Sequence, residues 1–157
     1  MAGNSLNGIN LVRDTLRQYL SDPYVLAGGR ERANWIFTDD PFSSATYPRI
    51  KLNIQDHTAS PMDIGPNYMN WEQVVVRITF FTKNDFKVSI DGVTYSNEQL
   101  VYKYENEIHD VLKSKFNDLY SGGVKGFRLL SMGTPAFSSE YMSHTGYIIV
   151  RFWLFRR

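Results

Sequence analysis

The segment from Tyr141 to Arg156 constrains this chain most, because it holds the longest apolar stretch and places apolar residues on both faces of a strand. Side chains alternate along a strand. Ile148, Val150, Phe152 and Leu154 therefore point one way, and Tyr147, Ile149, Trp153 and Phe155 the other, where Arg151 is the only charge. In a two-layer domain, helices cover only one face of a sheet. The second face then needs a second sheet, a loop or another subunit. Burying one such side chain is worth roughly 1.5–3 kcal/mol, so several left exposed mark an interface. Two coverings remain open: the irregular residues 21–48 or a second sheet from within the chain, and self-association through this strand or through the apolar 56–70 loop.

Other periodic segments supply the remaining elements. Ile9, Val12, Leu16 and Leu20 follow helical spacing over about Asn7–Leu20, and Asp22-Pro23 ends that helix. Residues 21–48 read as irregular, with Trp35-Ile36-Phe37 either a short strand or a packed loop. In Arg49–Gln55, Ile50, Leu52 and Ile54 alternate with polar residues, the pattern of a half-buried strand. Residues 56–70 read as a long connection carrying Met62, Ile64, Tyr68 and Met69. A second strand runs over Trp71–Thr82, and Asp91-Gly92 turns a small hairpin within Phe86–Tyr95.

A long helix starts at Ser96, which has capping-box spacing to Gln99. Its apolar stripe runs from Leu100 to Leu119, Glu105 falls on the solvated side, and Gly122-Gly123 stops it. A short strand over Gly126–Met132 precedes the final one. The expected fold is one α+β domain over residues 1–157. It is a mostly antiparallel sheet of about four main strands plus a small hairpin, packed against an N-terminal helix and one long helix.

Composition narrows the function classes. A chain of 157 residues suits one domain and needs no disulfide or metal to hold a core. There are no cysteines, which removes thiolate zinc sites and cysteine nucleophiles and fits a reducing cytoplasm. The net charge of +1 gives no overall basic field for nucleic acid. No apolar run is long enough to cross a membrane as a helix, and Met1–Asn10 lacks signal-peptide texture. Aromatic residues make up 15% of the chain, which suits both a core and a protein interface.

Motifs for chemistry are sparse. His57, His109 and His144 lack metal-ligand spacing: His109 reads as a packed or solvated helix residue, His144 as a loop residue, and His57 with Asp56 supplies only two ligands. Asp39, Asp40, Asp56 and Asp63 are the candidates for a magnesium nuclease, although nothing in their spacing brings them together. Arg30, Arg32, Arg49 and Lys51 form a modest basic patch that reads first as solvated surface. Phosphate-cradling glycine loops and a nucleophile elbow are absent, so the expectation is a protein that is not an enzyme, with no cofactor and no metal.

The chain resembles the tail-terminator (tail-completion, neck) proteins of long-tailed bacteriophages. The resemblance is carried by the N-terminal helix around Leu11-Val12-Arg13-Asp14, by Asn34-Trp35-Ile36-Phe37-Thr38-Asp39-Asp40-Pro41 and by the strand Tyr47–Leu52. The strand Trp71–Ile78, the helix from Ser96 and the final aromatic strand complete it. It implies a homo-hexameric ring in the virion tail or neck, assembled in the host cytoplasm. Such a ring ends tail-tube growth and offers a surface to the head-tail connector, and DNA passes through its lumen without specific binding. The implied partners are further copies of itself, the tail-tube protein and the connector, with no membrane. Together with the apolar surfaces above, the candidate subunit or tube interface is Met62, Ile64, Tyr68, Met69, Phe86, Tyr147, Ile149, Trp153 and Phe155. Competing readings are a head-completion stopper, a tail-tube subunit, the metal-dependent nuclease and a monomeric module that binds through its sheet.

Overall fold

The computed structural model describes residues 3–27, 35–38, 47–61, 70–140 and 142–156. The order is α1 (Gly3–Tyr19), α2 (Pro23–Leu26), β1 (Ile36–Phe37), β2 (Arg49–Pro61), β3 (Asn70–Lys83), β4 (Lys87–Ile90) and β5 (Val93–Ser96). There follow α3 (Asn97–Ser114), α4 (Phe116–Ser121), β6 (Val124–Met132), β7 (Ala136–Ser138) and β8 (Ser143–Arg156). The fold class is α+β, as the sequence predicts. The four long strands lie in the order β2-β3-β8-β6, with β1 added outside β2 and β7 pairing with β8. All pairings in the sheet are antiparallel except β1 with β2. The hairpin β4–β5 forms a separate two-stranded sheet. Its turn residues Asp91 and Gly92 both have positive φ, 52° and 81°, the backbone that a right-twisted two-residue hairpin requires.

One face of the sheet holds the core. Val74, Val76, Ile78 and Phe80 of β3, Ile148, Val150, Phe152 and Leu154 of β8, and Ile50 and Leu52 of β2 are all buried there. The apolar stripes of α1 (Ile9, Val12, Leu16) and α3 (Leu100, Val101, Tyr104, Ile108, Leu112) close over them. The Tyr104 ring stacks on Phe80 at 4.8 Å and meets Trp35 edge-on. Its hydroxyl donates a 2.6 Å hydrogen bond to the Ser21 carbonyl, which ties α3 to the end of α1. Burial raises the Tyr104 pKa, so the hydroxyl stays a donor. Arg17 donates to the Ile36 carbonyl and fastens α1 to the edge strand β1.

Several expectations are corrected. Residues 56–61 continue strand β2 rather than opening a loop, and β3 already begins at Asn70. A register shift between Ile54 and Asp56 resets the alternation, and Asp56, His57 and Thr58 just beyond it are polar on both faces, so no period of two marks the extension. Residues 62–69 lie outside the described residues. Residues 21–27 include the short helix α2, capped by the Asp22 side chain accepting from the Tyr24 N–H. Trp35-Ile36-Phe37 resolves to a buried Trp35 and strand β1.

The long helix breaks at Lys115, so α3 spans 18 residues, about 27 Å, and α4 is a separate turn. Ser96 is the N-cap residue but makes no capping hydrogen bond; Asn97, at φ 50°, enters the helix by a different path from that of a capping box. His144 is part of β8, opposite Thr82 and Phe137, and is not in a loop. Glu105, expected on the solvated side, is 1% exposed. It lies over Gly146, where the missing side chain lets α3 approach β8 closely.

Candidate interaction surface on the open face of the sheet

The alternate residues of the same strands form the opposite face. Gln73, Val75, Arg77 and Thr79 of β3, Tyr147, Ile149, Arg151 and Trp153 of β8, and Arg49 and Lys51 of β2 are half-buried there. The described helices lie on the core side, so no described helix covers this face.

Two aromatic rings lie flat along the sheet. Trp153 faces Gln73 across one strand boundary and Gly126 across the other, and its ring occupies the space that a side chain at 126 would fill. Tyr147 is held between Gly133, whose N–H donates to the Tyr147 carbonyl at 2.7 Å, and the Arg77 guanidinium, 4.0 Å from the ring centroid. At the β2 side, the Arg49 guanidinium lies 4.4 Å from the Tyr47 ring centroid and donates to its hydroxyl at 3.0 Å. These contacts fix the guanidinium planes by cation–π attraction.

The charges on this face are mostly positive among the described residues. The register sets Arg128 of β6 directly opposite Arg151 of β8, and places Arg77 one strand over and two residues along. Arg49 and Lys51 extend the array across β2. Asp56, beyond the β2 register shift, is the one carboxylate that the register puts on this face among the described residues. Like charges directly opposite in a sheet destabilise it. Among the described residues, none of Arg77, Arg128 and Arg151 has a carboxylate within ion-pair distance; the ion pairs lie at Asp14, Glu72 and Glu107. The Arg151 Nε is buried and makes no hydrogen bond there.

The structure brings Tyr147, Ile149 and Trp153 together as expected from their alternation. It puts Phe86 elsewhere: the ring packs against the core on the helix side, 5.9 Å from Tyr24. Met62, Ile64, Tyr68 and Met69 lie outside the described residues, and Phe155 is described only as backbone in β8. An apolar rim was not foreseen. Leu130, Met132, Phe137 and Met142, along β6, β7 and the turn into β8, are all exposed. Arg77 and Arg128 were also missed as partners of Arg151, because only the strand order β3-β8-β6 joins them.

The residues considered for chemistry sit apart. The His57 ring lies 3.4 Å from the Glu72 carboxylate, and its backbone N–H donates to Asp56. His109 packs edge-on against Phe127, as a packed helix residue does. Asp39, Asp40 and Asp63 lie outside the described residues, as do Arg30 and Arg32. Among the described residues, no group of three or more His, Cys, Asp or Glu side chains is placed to hold a metal. No described helix is long and apolar enough to cross a membrane.

The remaining titratable group of interest is Glu105. Burial pushes its carboxyl up to about 7, and the nearby Tyr147 backbone amide offsets this only in part. Neither carboxyl oxygen makes a hydrogen bond among the described residues. The buried hydroxyls of Thr82 and Ser143 are unpaired as well. No protein-family model matches this sequence, and a search of curated proteins found no match.

Proposed function

We propose that the protein is a structural virion subunit that forms a ring at the head-proximal end of a phage tail tube, ending tube growth and joining the tail to the head connector. The observation that carries this reading is the one-sided sheet. The helices close one face and leave the other half-exposed, and the edge strands and the turn into β8 add the exposed residues Leu130, Met132, Phe137 and Met142. Surfaces of this kind mark sites of association. A head-to-tail contact between unlike surfaces closes into a ring when its rotation permits. The resemblance in element order supplies the choice of ring.

In this reading the protein is not an enzyme and needs no cofactor. Its partners are further copies of itself, the tail-tube protein and the connector, and it ends in the virion. The test is light scattering of the purified protein, followed by electron microscopy with tail tubes. The reading expects rings in solution, or subunits that cap tube ends. It is overturned by a protein that stays monomeric and leaves tube ends bare. Magnesium-dependent DNA cleavage abolished by Asp56→Ala also overturns it, in favour of the nuclease.

A further inference from the structure

The strongest unexplained feature is the predominantly positive charge of the open face. The whole chain carries a net charge of only +1, yet the register gathers Arg77, Arg128 and Arg151 at the centre of this face, with Arg49 and Lys51 beside them, and Asp56 is the one carboxylate it puts there among the described residues. Among the described residues the centre of this face is therefore basic. Folding does not account for its centre. Arg128 and Arg151 repel each other across the β6–β8 pair, and the buried Arg151 Nε has lost water without gaining a described acceptor. A bound group that carries negative charge would relieve the repulsion.

We infer that the open face of the sheet binds the phosphodiester backbone of nucleic acid, independently of base sequence, with Arg77, Arg128 and Arg151 as the central phosphate contacts. The three guanidiniums sit on neighbouring strands spaced about 4.8 Å apart, with diagonal positions about 7–8 Å apart. That close, regular array suits a dense line of phosphates, which present one charge per 3.4 Å of axis on each strand. Guanidinium groups bind phosphate through paired N–H donors. Arg77 is already oriented by the Tyr147 ring. The Tyr147 and Trp153 rings lie against Gly133 and Gly126 rather than projecting as stacking platforms, so contact is to the backbone and not to the bases. This inference goes beyond the ring reading and does not need it, since a single subunit presents the whole array. It leaves the exposed rim at β6–β7 for contacts between subunits.

The test is fluorescence anisotropy of the full chain with dye-labelled 20-base-pair duplexes of two unrelated sequences, at 50 and 200 mM salt. Both duplexes bind equally at the lower salt. With three phosphates contacted, affinity falls roughly 40-fold between the two salts, from a log–log slope of about −0.9 per contact. Replacing the cluster (Arg77→Gln, Arg128→Gln, Arg151→Gln) weakens binding at least tenfold and flattens the salt dependence. Replacing exposed or half-exposed lysines outside the array (Lys87→Gln, Lys113→Gln, Lys115→Gln) leaves binding within twofold.

If circular dichroism shows the triple variant misfolded, Arg128→Gln alone serves, because that side chain is exposed; it lowers the slope by about 0.9. Polyglutamate at equal charge concentration does not displace the duplex. Three results overturn the inference: no binding at 50 mM salt, equal loss in the cluster and lysine variants, or displacement by polyglutamate as effective as by duplex. The last of these assigns the face to an acidic protein. DNA binding and ring assembly are read by separate assays, so failure of one is distinguishable from failure of the other.

Discussion

The two faces of the central sheet are built from the same strands and differ in almost everything else. On the covered face, β3 and β8 contribute Val74, Val76, Ile78, Phe80, Ile148, Val150 and Phe152, each fully buried under α1 and α3. On the open face, the intervening residues are half-exposed, and cations sit among aromatic and aliphatic side chains. β8 by itself reads apolar on both sides. Its neighbours decide otherwise. β3 places Gln73, Arg77 and Thr79 on the open face, and β6 places Gly126, Arg128 and Ser131 there. The comparison teaches that the environment of a sheet face is a property of strand order, not of one strand. It also weakens the argument that Trp153 and Tyr147 demand a partner, because each finds part of its cover on a glycine of the same sheet.

The largest effect that sharpens this contrast concerns a buried carboxyl on the covered face. The Glu105 carboxyl titrates at about 7 when folded and at 4.5 ordinarily. A raised acid pKa means that the folded state holds the proton more tightly. Stability is therefore unaffected by this group below about pH 4.5, falls as pH rises from there to about 7, and is lower by a constant amount above that. The full penalty is on the order of 3 kcal/mol. Denaturant unfolding of Glu105→Gln should show this pH dependence flattened. If the wild-type stability is level between pH 4.5 and 8, Glu105 is solvated and the close approach of α3 to β8 over Gly146 is wrong.

A smaller effect tests the anchoring of the helix layer. Tyr104→Phe removes the hydrogen bond to the Ser21 carbonyl while keeping the ring stack on Phe80, and should cost about 1 kcal/mol in chemical unfolding. The smallest effect lies on the open face and has the opposite sign. Arg128→Gln removes the Arg128–Arg151 repulsion and should raise stability by a few tenths of a kcal/mol at low salt. A loss in its place would show that Arg128 has an acidic partner in the folded chain.

Much of the fold was legible. Alternation in Trp71–Thr82 and in the final strand marked the buried face, and the 3.6-residue stripes marked α1 and α3, because burial on one side imposes those periods. The rest depended on contacts that leave no periodic trace. Strand β1 is two residues held by parallel pairing to Ile50 and Lys51. Residues 56–61 are strand because β3 continues beside them. Glu105 is buried because Gly146, forty-one positions away, leaves it room. Of the candidate surface, Tyr147, Ile149 and Trp153 were readable from alternation alone. The arginine array was not, since Arg77, Arg128 and Arg151 become neighbours only through the order β3-β8-β6.

The central claim is that β8 turns one face to a closed core and the other to a surface left open for another molecule. Its most direct test places the same charge on adjacent residues of that strand. Ile148→Glu and Ile149→Glu are compared by thermal unfolding followed by circular dichroism. Ile148 is fully buried and Ile149 is half-exposed. The account expects Ile148→Glu to abolish the cooperative transition, since an unpaired buried charge costs several kcal/mol, and Ile149→Glu to unfold cooperatively within a few degrees of the unmodified protein. Loss of folding in both variants would contradict it, because the second face would then be closed by the chain itself.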